Sequence, residues 1–341
     1  MTNPVLVEIT RGGTVESVHH GAVAVMDAAG KLVVAIGDTS HAVFPRSALK
    51  LLQAIPLVRS GAADAFGLSE AELALACASH CGDPEHVDAV AAWLARLGLA
   101  EMDLACGAHL PTRESSARPF ICADRAPLRL HNNCSGKHTG FLTLAKHLSA
   151  PTQGYERPDS AVQRAVRDAV SRFTGVDANA CAAGTDGCNA PIFALPLEAM
   201  ARAMARIATG RGLAPEDAQA ADRLRRAMRR HPNLVDGRDR LCTRLIETLP
   251  DGLVKPGAEG NYVAALPSLG LGIVLKIDDG AGRAADTAMV SVLVGLGALP
   301  ADHPIAREEM AAPILNTRDL AVGQRGPAAA LRGLTRLTST A

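Results

Sequence analysis

Two short polar segments of this chain carry residue types that could hold a metal ion. The first contains Cys134, Lys137 and His138, and the second ends at Cys188. Their neighbours are mostly Asn, Ser, Thr and Gly, whereas a free cysteine is usually a small buried hydrophobe. Thiolates suit Zn²⁺, and two thiolates with one nitrogen and one water would form an open four-coordinate site. The pattern therefore indicates a zinc site, with two buried structural thiols as the alternative.

Either of two adjacent residues could supply the nitrogen ligand of such a site. His138 is the ordinary choice, because a neutral imidazole offers a lone pair, whereas Lys137 would first have to lose its proton. The chain contains no C-x-x-C pair, so the spacing of the cysteines does not decide between candidate ligands. Further candidates, each with a structural role as the alternative, are Cys81 with His80 and His86, and Cys106 with His109.

A serine and a lysine three residues apart form a second reactive pair. On a helix, Ser47 and Lys50 would lie on nearly the same face. A lysine can take the proton of a serine hydroxyl if burial or a neighbouring cation brings its pKa towards neutrality. Arg46, just before this pair, could bind a substrate carboxylate through its planar fork of donors. Ser79 and Lys255 are a second candidate pair, although no spacing joins them.

These residues need elements that bring distant segments together. Alternating and turn-forming patterns predict one hairpin over residues 20–27 and 32–37, and another over residues 262–266 and 270–277. Strands at both ends of a mostly helical sequence predict an α+β fold, with an antiparallel sheet flanked by helices plus a mostly helical lobe. Apolar periodicity predicts helices over residues 47–60, 69–78, 84–97, 136–148, 159–173, 194–208, 216–230 and 286–299.

The same patterns predict how the chain is organised. We expect residues 1–341 to form a single catalytic unit of two intermixed lobes. The sheet lobe would come from about residues 1–45 and 250–300, and the helical lobe from about residues 46–249. Pro56 is expected to bend or end the helix that begins at Ser47. The Gly-, Arg- and Thr-containing tail after about residue 316 is expected to fray.

Composition excludes some classes of partner. Lys and Arg together number 35, as do Asp and Glu, so the formal net charge is zero. There is therefore no electrostatic case for nucleic acid or an anionic membrane, and an aromatic content of 3% offers few stacking platforms. The chain shows no basic-then-apolar N-terminal signal and no apolar run long enough to span a bilayer. We expect a cytoplasmic protein with mostly reduced cysteines.

Four motifs occur in order along the chain: Phe44-Pro45-Arg46-Ser47-x-x-Lys50, Ala78-Ser79-His80-Cys81-Gly82, Asn132-Asn133-Cys134-Ser135-Gly136-Lys137-His138 and Gly184-Thr185-Asp186-Gly187-Cys188. As a set, they resemble the motifs of the rhizobial-type L-asparaginases, the third structural class of asparaginase. The resemblance covers roughly residues 5–300. It implies a fold similar to serine β-lactamases and glutaminases, hydrolysis of L-asparagine to L-aspartate and ammonia, and a homodimer.

The resemblance also implies roles for individual residues. It implies a zinc site at which Lys137, and not His138, is the nitrogen ligand. The zinc ion would modulate the activity and would not be strictly required. The implied catalytic residues are Ser47, Lys50, Ser79 and Lys255. The implied metal ligands are Cys134, Lys137 and Cys188. The implied substrate contacts are Arg46, His138, Asp186 and Glu259, with Asp186 near the metal.

Two alternatives to an L-asparaginase stay open. The first is a glutaminase or a β-lactam-type acyl hydrolase on the same fold. The second is a non-catalytic zinc-binding protein, against which the serine and lysine residues argue. The sequence does not decide whether Ser47 or Ser79 is the nucleophile, and we favour Ser47.

Overall fold

The computed structural model describes residues 2–336, and the chain divides into two compact units. The sheet unit contains the residues up to Ala48, Leu195–Ala208 and the chain from Thr248 onward. The helical unit contains Leu49–Ala194 and Thr209–Glu247. The chain therefore passes from the sheet unit into the helical unit and back twice. That the two act as a single catalytic unit stays a prediction.

The elements of both units are numbered here in chain order. Among residues 2–336 the strands are β1 (Val5–Arg11), β2 (Thr14–Asp27), β3 (Leu32–Ile36), β4 (Ala42–Val43), β5 (Ala183–Thr185), β6 (Pro191–Phe193), β7 (Leu195–Pro196), β8 (Leu253–Gly257), β9 (Asn261–Leu266), β10 (Leu271–Ile277), β11 (Ala312–Leu315) and β12 (Ala321–Pro327). The helices are α1 (Lys50–Arg59), α2 (Ala62–Ala65), α3 (Glu70–Ala76), α4 (Pro84–Arg96), α5 (Glu114–Cys122), α6 (Ser135–His147), α7 (Ala161–Thr174), α8 (Leu197–Thr209), α9 (Pro215–Arg230), α10 (Pro232–Val235), α11 (Leu241–Thr248), α12 (Gly282–Gly295), α13 (Pro304–Met310) and α14 (Ala329–Arg332).

Eight strands form one antiparallel sheet in the sheet unit. Their order is β11-β12-β1-β2-β10-β9-β8, and β3 pairs with β2 beside this path. The long strand β2 pairs with β1 over its first half and with β10 over its second half, where Val23 lies opposite Leu275. Strands from both ends of the sequence therefore meet in one sheet, as the two predicted hairpins require.

The centre of the sheet is covered on both faces. Every residue of β9 is buried, although successive side chains point to opposite faces. At Gly272 of β10, a β-carbon would lie 2.1 Å from the backbone nitrogen of Ala205 in α8, so glycine lets this helix pack directly on the strand. Strand β8 lies at the end of the sheet order, a position that tolerates Pro256, which has no backbone N–H.

Helix α1 lies at the centre of the helical unit. Its residues from Lys50 to Leu57 are all buried, and it packs against α6, α7 and α9. A helix that is buried on every side needs no polar stripe, which explains its weak apolar periodicity. Pro56 does not end the helix, which continues to Arg59. None of the helices described for residues 2–336 is long and apolar enough to cross a membrane.

The predicted fold class is confirmed, because an antiparallel sheet flanked by helices accompanies a mostly helical part. The prediction of a fraying tail is wrong for Ala321–Pro327, which forms β12 and pairs with β1, Pro327 lying opposite Val7. Hydrogen bonds to an existing strand order this segment, although its Gly and Arg content does not favour a strand. Residues 337–341 of the predicted tail lie outside the described residues.

Candidate active site

Lys50 and Ser79 are brought together in the helical unit. The side-chain nitrogen of Lys50 lies 2.9 Å from the hydroxyl oxygen of Ser79. It also donates to the backbone carbonyls of Ala78 and Asn133, the second at 3.4 Å. Lys50 is 1% exposed, whereas Ser79 is half-buried and therefore accessible to a ligand. The spacing pattern paired Lys50 with Ser47, so this contact is one that the sequence did not predict.

Local hydrogen bonds position both residues. Lys50 is the first residue of the buried helix α1, and Ser79 follows the end of α3. The start of α3 is fixed by a capping box, in which Ser69 accepts from the Glu72 N–H and the Glu72 carboxylate accepts from the Ser69 N–H at 2.8 Å. The Ser79 N–H donates to the carbonyl of Val235 at 2.8 Å, which fixes the backbone from which the hydroxyl projects.

Helix α6, which carries much of the candidate site, packs on α3 at a position that admits only glycine. A β-carbon on Gly136 would lie 2.5 Å from the carbonyl oxygen of Leu75. We expect Gly136→Ala to lower the free energy of unfolding by about 1–3 kcal/mol through overpacking. Gly140→Ala in the same helix is the control, because its β-carbon would meet only side-chain atoms, the nearest at 3.3 Å. Urea denaturation measures both, and equal stability of the two variants would contradict the expectation.

A cluster of two thiols and a carboxylate lies at the start of α6. The ligand atoms of Cys134, Asp186 and Cys188 all lie within 4.8 Å of one another, and the Lys137 nitrogen donates to the Cys188 sulfur at 2.9 Å. The Cys188 N–H donates to the Asp186 carboxylate at 3.2 Å within the turn between β5 and β6. The Cys134 N–H donates to the side-chain oxygen of Asn132 at 2.9 Å. The structure therefore brings together four residues that the sequence singled out.

This cluster favours one thiolate and one thiol. The hydrogen bond from Cys134 lowers the pKa of Cys188 to about 5; burial opposes this shift, and the charge of Lys137 reinforces it. The same hydrogen bond, together with burial, raises the pKa of Cys134 to about 12. Burial alone would lower the pKa of Lys137, but the negative charge of Cys188 outweighs it and raises this pKa above its usual range. The result is a thiolate–ammonium pair to which the second thiol donates.

The donor set fits a thiophilic divalent cation such as Zn²⁺. Two sulfur atoms and one carboxylate oxygen converge, and both cysteines are buried. Lys137 could act as a ligand only after losing the proton that it donates to Cys188, whereas the Asp186 carboxylate needs no such loss. The structure therefore adds Asp186 as a possible ligand, a residue that the sequence placed near the metal but assigned to the substrate.

His138 lies outside this ligand group and has a different partner. Its Nδ1 lies 2.7 Å from the hydroxyl oxygen of Tyr155, and its Nε2 has no hydrogen-bond partner among residues 2–336. Burial, followed by the charge of Lys137, lowers the pKa of His138 to about 3, so the ring is neutral. Sequence reasoning missed Tyr155, because a single tyrosine outside every motif gives no signal beyond the scarcity of aromatic residues.

The alternative ligand group around Cys81 has a structural explanation. Ligand atoms of Cys81, Asp83 and His86 lie within 4.8 Å of one another. The Asp83 carboxylate accepts from the Cys81 thiol at 3.0 Å and from the Ser116 hydroxyl, and it pairs with Arg113 at 3.2 Å. An arginine therefore already neutralises the carboxylate. His86 Nε2 lies 3.0 Å from the Asn233 carbonyl, whereas its buried Nδ1 has no hydrogen-bond partner among the described residues.

The remaining alternative ligands are also engaged in protein hydrogen bonds. His80 lies 2.9 Å from the Ser135 hydroxyl, and His109 accepts the Asn133 N–H at 2.9 Å. Burial raises the pKa of the Cys106 thiol to about 12, which keeps it protonated. Among the described residues, none of these three belongs to a group of possible metal ligands.

The other predicted site residues lie in the sheet unit. Ser47 is half-buried in the single turn Arg46–Leu49 that directly precedes α1, and Arg46 has a φ of 53°. Lys255 is buried on β8 and donates to the Pro256 carbonyl at 3.0 Å. Glu259 is exposed in the turn after β8 and has a φ of 58°. Positive φ at residues other than glycine is strained, and such strain clusters at functional sites.

Comparison with models of protein families identifies the family to which this chain belongs. Residues 7–326 match the family model of L-asparaginase II. The chain belongs to the L-asparaginase II family. This match confirms the resemblance drawn from the four motifs, and it makes the protein an asparaginase-type amidohydrolase with a small-molecule substrate. Lys50, Ser79 and the thiol cluster all lie within the matched residues.

The solved structures to which this L-asparaginase II family member is similar include the following two. A β-lactamase from Mycobacterium bovis is 14% identical, with 82% of this chain and 95% of that chain covered and a TM-score of 0.40. A mutant of simvastatin synthase from Aspergillus terreus is 11% identical, with 76% of this chain and 86% of that chain covered and a TM-score of 0.36. Comparison with curated proteins found no match. Conclusions about activity therefore rest on the family alone.

Proposed function

We propose that this L-asparaginase II family member hydrolyses L-asparagine to L-aspartate and ammonia, using a serine hydroxyl activated by Lys50. The observation that carries the proposal is the 2.9 Å contact between the Lys50 nitrogen and the Ser79 hydroxyl. Amide hydrolysis needs a group that removes the proton of the nucleophile and returns it to the leaving amine. A lysine hydrogen-bonded to a serine can perform both steps.

In the proposed reaction, Lys50 acts in its neutral form. It accepts the serine proton while the serine oxygen attacks the side-chain amide carbon of asparagine. The proton then passes to the leaving nitrogen, ammonia departs, and water hydrolyses the acyl-enzyme. The acceptors around Lys50, namely the carbonyls of Ala78 and Asn133 and the hydroxyl of Ser79, match the three hydrogens of an ammonium group. They would stabilise the protonated lysine that forms during attack.

The nucleophile in this proposal is Ser47, and Ser79 relays protons with Lys255. Ser47 lies in the turn Arg46–Leu49 that directly precedes α1, and the free N–H groups at a helix start suit a developing oxyanion. Arg46 and Glu259 are proposed substrate contacts. The contact of Lys50 with Ser79 supports the alternative, in which Ser79 is itself the nucleophile, so the experiment below includes both serines.

We also propose that the thiol cluster binds Zn²⁺ through Cys134 and Cys188, completed by Lys137 or Asp186. When bound, the ion supplies positive charge that orients and polarises nearby groups. The proposal gives it a modulating role and routes no proton through it. A homodimer and a cytoplasmic location are further proposals, taken from the family resemblance and from the composition.

A coupled ammonia assay with L-asparagine and L-glutamine, with and without Zn²⁺, tests the function, and a chromogenic β-lactam tests the other acyl hydrolase. We expect L-asparagine to be the preferred substrate. Ser47→Ala should lower its turnover by at least about 10³-fold, and Ser79→Ala by about 10²–10⁴-fold. Ser60→Ala, at the far end of α1, is the control and should keep wild-type turnover. Full turnover by Ser47→Ala would refute its role as nucleophile.

The substrate panel also separates the alternatives. Faster turnover of glutamine or the lactam would favour the other acyl hydrolases. Tight stoichiometric zinc without ammonia release from any substrate would favour a non-catalytic zinc-binding protein.

A further inference from the structure

A buried hydrogen bond joins the segment that carries Ser79 to the segment that carries Cys134. His80 directly follows Ser79 in the chain. Its Nε2 lies 2.9 Å from the hydroxyl oxygen of Ser135, which directly follows Cys134. Both His80 and Ser135 are 0% exposed. The bond therefore connects the backbone beside the serine of the lysine–serine pair to the backbone beside one thiol of the cluster.

Lys50 forms a second connection between the same two segments. Its nitrogen donates to the carbonyl of Ala78, directly before Ser79, and lies 2.9 Å from the Ser79 hydroxyl. It also donates, at 3.4 Å, to the carbonyl of Asn133, directly before Cys134. Ser79 and Cys134 are therefore each flanked by two residues that are connected to the other segment, through the lysine on one side and through the imidazole on the other.

The hydrogen-bond pattern makes the imidazole the donor to Ser135. Nδ1 of His80 accepts the Gly82 N–H at 3.2 Å, so this nitrogen carries no hydrogen. The hydrogen of the neutral ring is therefore on Nε2, which donates to the Ser135 oxygen. The Ser135 hydroxyl in turn donates to the Leu130 carbonyl at 2.9 Å. The loss of the imidazole or of the hydroxyl would leave buried polar groups without a partner.

We infer that His80 is a positioning residue that holds Ser79 within reach of Lys50, and that its bond to Ser135 makes the position of Ser79 depend on the thiol cluster. A proton passes between a hydroxyl and an amine only within hydrogen-bonding distance, and a displacement of about 1 Å can cost about 10²-fold in rate. The role is the same whether Ser79 is the nucleophile or a proton relay, because both need the contact with the lysine.

The same bond gives the thiol cluster a route to the lysine–serine pair. A cation bound by Cys134 would displace or restrain the backbone that continues into Ser135, and the imidazole would transmit this change to the residue beside Ser79. The identity of the cation and of the substrate rests on the proposed function, whereas the hydrogen bonds of His80 do not.

Nitrogen NMR of protein labelled with ¹⁵N-histidine tests the connection without an activity assay. In the wild type we expect hydrogen on Nε2 of His80 and a hydrogen-bonded lone pair on Nδ1, with the signals assigned through His80→Gln. Stoichiometric Zn²⁺ should shift the Nε2–H signal. In Ser135→Ala the zinc-induced shift should be lost, because the ring no longer contacts the residue beside Cys134, whereas a shift caused only by the charge of the ion would persist.

Ser171→Ala is the matched control for Ser135→Ala. The Ser171 hydroxyl in α7 also donates to a backbone carbonyl, that of Arg167 at 3.1 Å, and accepts an N–H, that of Ala178 at 2.9 Å. Its removal therefore costs hydrogen bonds of the same number and a similar kind elsewhere in the helical unit. We expect this variant to keep the zinc-induced shift of the His80 signal and the wild-type rate.

Two substitutions of His80 test its effect on the reaction. Glutamine and asparagine both remove the ring and its stacking on His86, at 4.8 Å between centroids. Glutamine is long enough to keep an N–H donor for Ser135, whereas asparagine is too short. His80→Asn should lower kcat for L-asparagine by about 10–100-fold with little change in KM, and His80→Gln should stay within about threefold of the wild type. Ser135→Ala should match His80→Asn, and combining the two should add less than about threefold.

The outcomes separate this inference from the proposed function. The inference would be overturned by a wild-type His80 ring with its hydrogen on Nδ1, by bound Zn²⁺ that leaves the Nε2–H signal in place, by a zinc-induced shift that persists in Ser135→Ala, or by equal rates of His80→Asn and His80→Gln. The first two need no variant, so they do not depend on whether Ser135→Ala folds.

Failure of the proposed function gives different results. Zinc binding without release of ammonia from L-asparagine would overturn the proposed activity, and the His80 signal would still decide whether the two segments are coupled. Release of ammonia without zinc binding would overturn the proposed zinc site, and the rates of His80→Asn and His80→Gln would still decide whether His80 positions Ser79.

Discussion

Replacing Lys50 by methionine is expected to lower the turnover of L-asparagine by at least about 10³-fold, within the range of a lost general base. Methionine keeps the length and apolar character of the side chain but removes the amine that lies 2.9 Å from the Ser79 hydroxyl. The carbonyls of Ala78 and Asn133 lose a donor, but the desolvation cost of a buried amine is also removed, and the two effects on stability oppose each other. Ammonia release and thermal unfolding, measured on the same sample, separate lost chemistry from lost folding.

Two companion variants make this result specific. Lys50→Arg keeps a positive charge and several donors but cannot become neutral, so we expect it to be as inactive as Lys50→Met. Lys146→Met removes a lysine that also donates to a backbone carbonyl, that of Leu97 at 2.8 Å, and should keep the wild-type rate within about twofold. An active Lys50→Arg variant would show that the residue acts through its charge and not as a base.

The fold could be predicted wherever local patterns decide the structure. Turn residues between alternating segments indicated β2 with β3, and β9 with β10, within one residue of their observed ends, except that β2 begins at Thr14 and the prediction began at residue 20. The helices predicted over residues 69–78 and 84–97 begin within one residue of the observed starts of α3 and α4. These signals lie within a few residues of the elements that they specify, so one sequence suffices to read them.

The missed strands depend on partners far away in the chain. Strand β12 contains Gly323, Arg325 and Gly326, and its order comes from pairing with β1, some 300 residues earlier, where Arg325 lies opposite Ile9. At Gly323 a β-carbon would lie 2.0 Å from the carbonyl oxygen of Thr10, so the glycine that weakens strand propensity permits this close pairing. Composition alone could not reveal that pairing with β1 offsets the low strand propensity of this segment, and it favoured a frayed tail instead.

Local sequence patterns likewise predicted some residues of the candidate site and missed others. The thiol-bearing segments were found because Cys134 and Cys188 each stand in a polar, glycine-containing context that is unusual for free cysteine. The partner of Lys50 was not found, because a spacing rule favours the residue three positions away, whereas Ser79 is reached only when α1 packs beside the end of α3. Tyr155 was missed for the same reason, since it is reached only through its contact with His138 in α6, 17 residues earlier.

Replacing Cys188 by serine is expected to weaken zinc binding at least about 100-fold, because the site loses the cysteine whose lowered pKa makes it the thiolate. In the wild type, Zn²⁺ at 100 times its dissociation constant should raise the free energy of unfolding by about 2.7 kcal/mol, and a chelator should reverse the gain. Cys181→Ser, a half-exposed cysteine just before β5, should change neither quantity. Thermal unfolding across a zinc titration measures both, and equal stabilisation of the wild type and Cys188→Ser would exclude the thiol cluster as the site.

The same titration decides between the two candidates for the remaining ligand. Asp186→Asn should weaken zinc binding if the carboxylate that lies within 4.8 Å of both sulfur atoms completes the site. Lys137→Met gives the more decisive result, because the two possible roles of Lys137 predict opposite changes in zinc affinity. As a ligand, Lys137 contributes a nitrogen, and its loss lowers the affinity, which is what we expect from the family resemblance. As an ammonium paired with Cys188 at 2.9 Å, it competes with the incoming cation, and its removal would raise the affinity and leave Asp186 as the ligand.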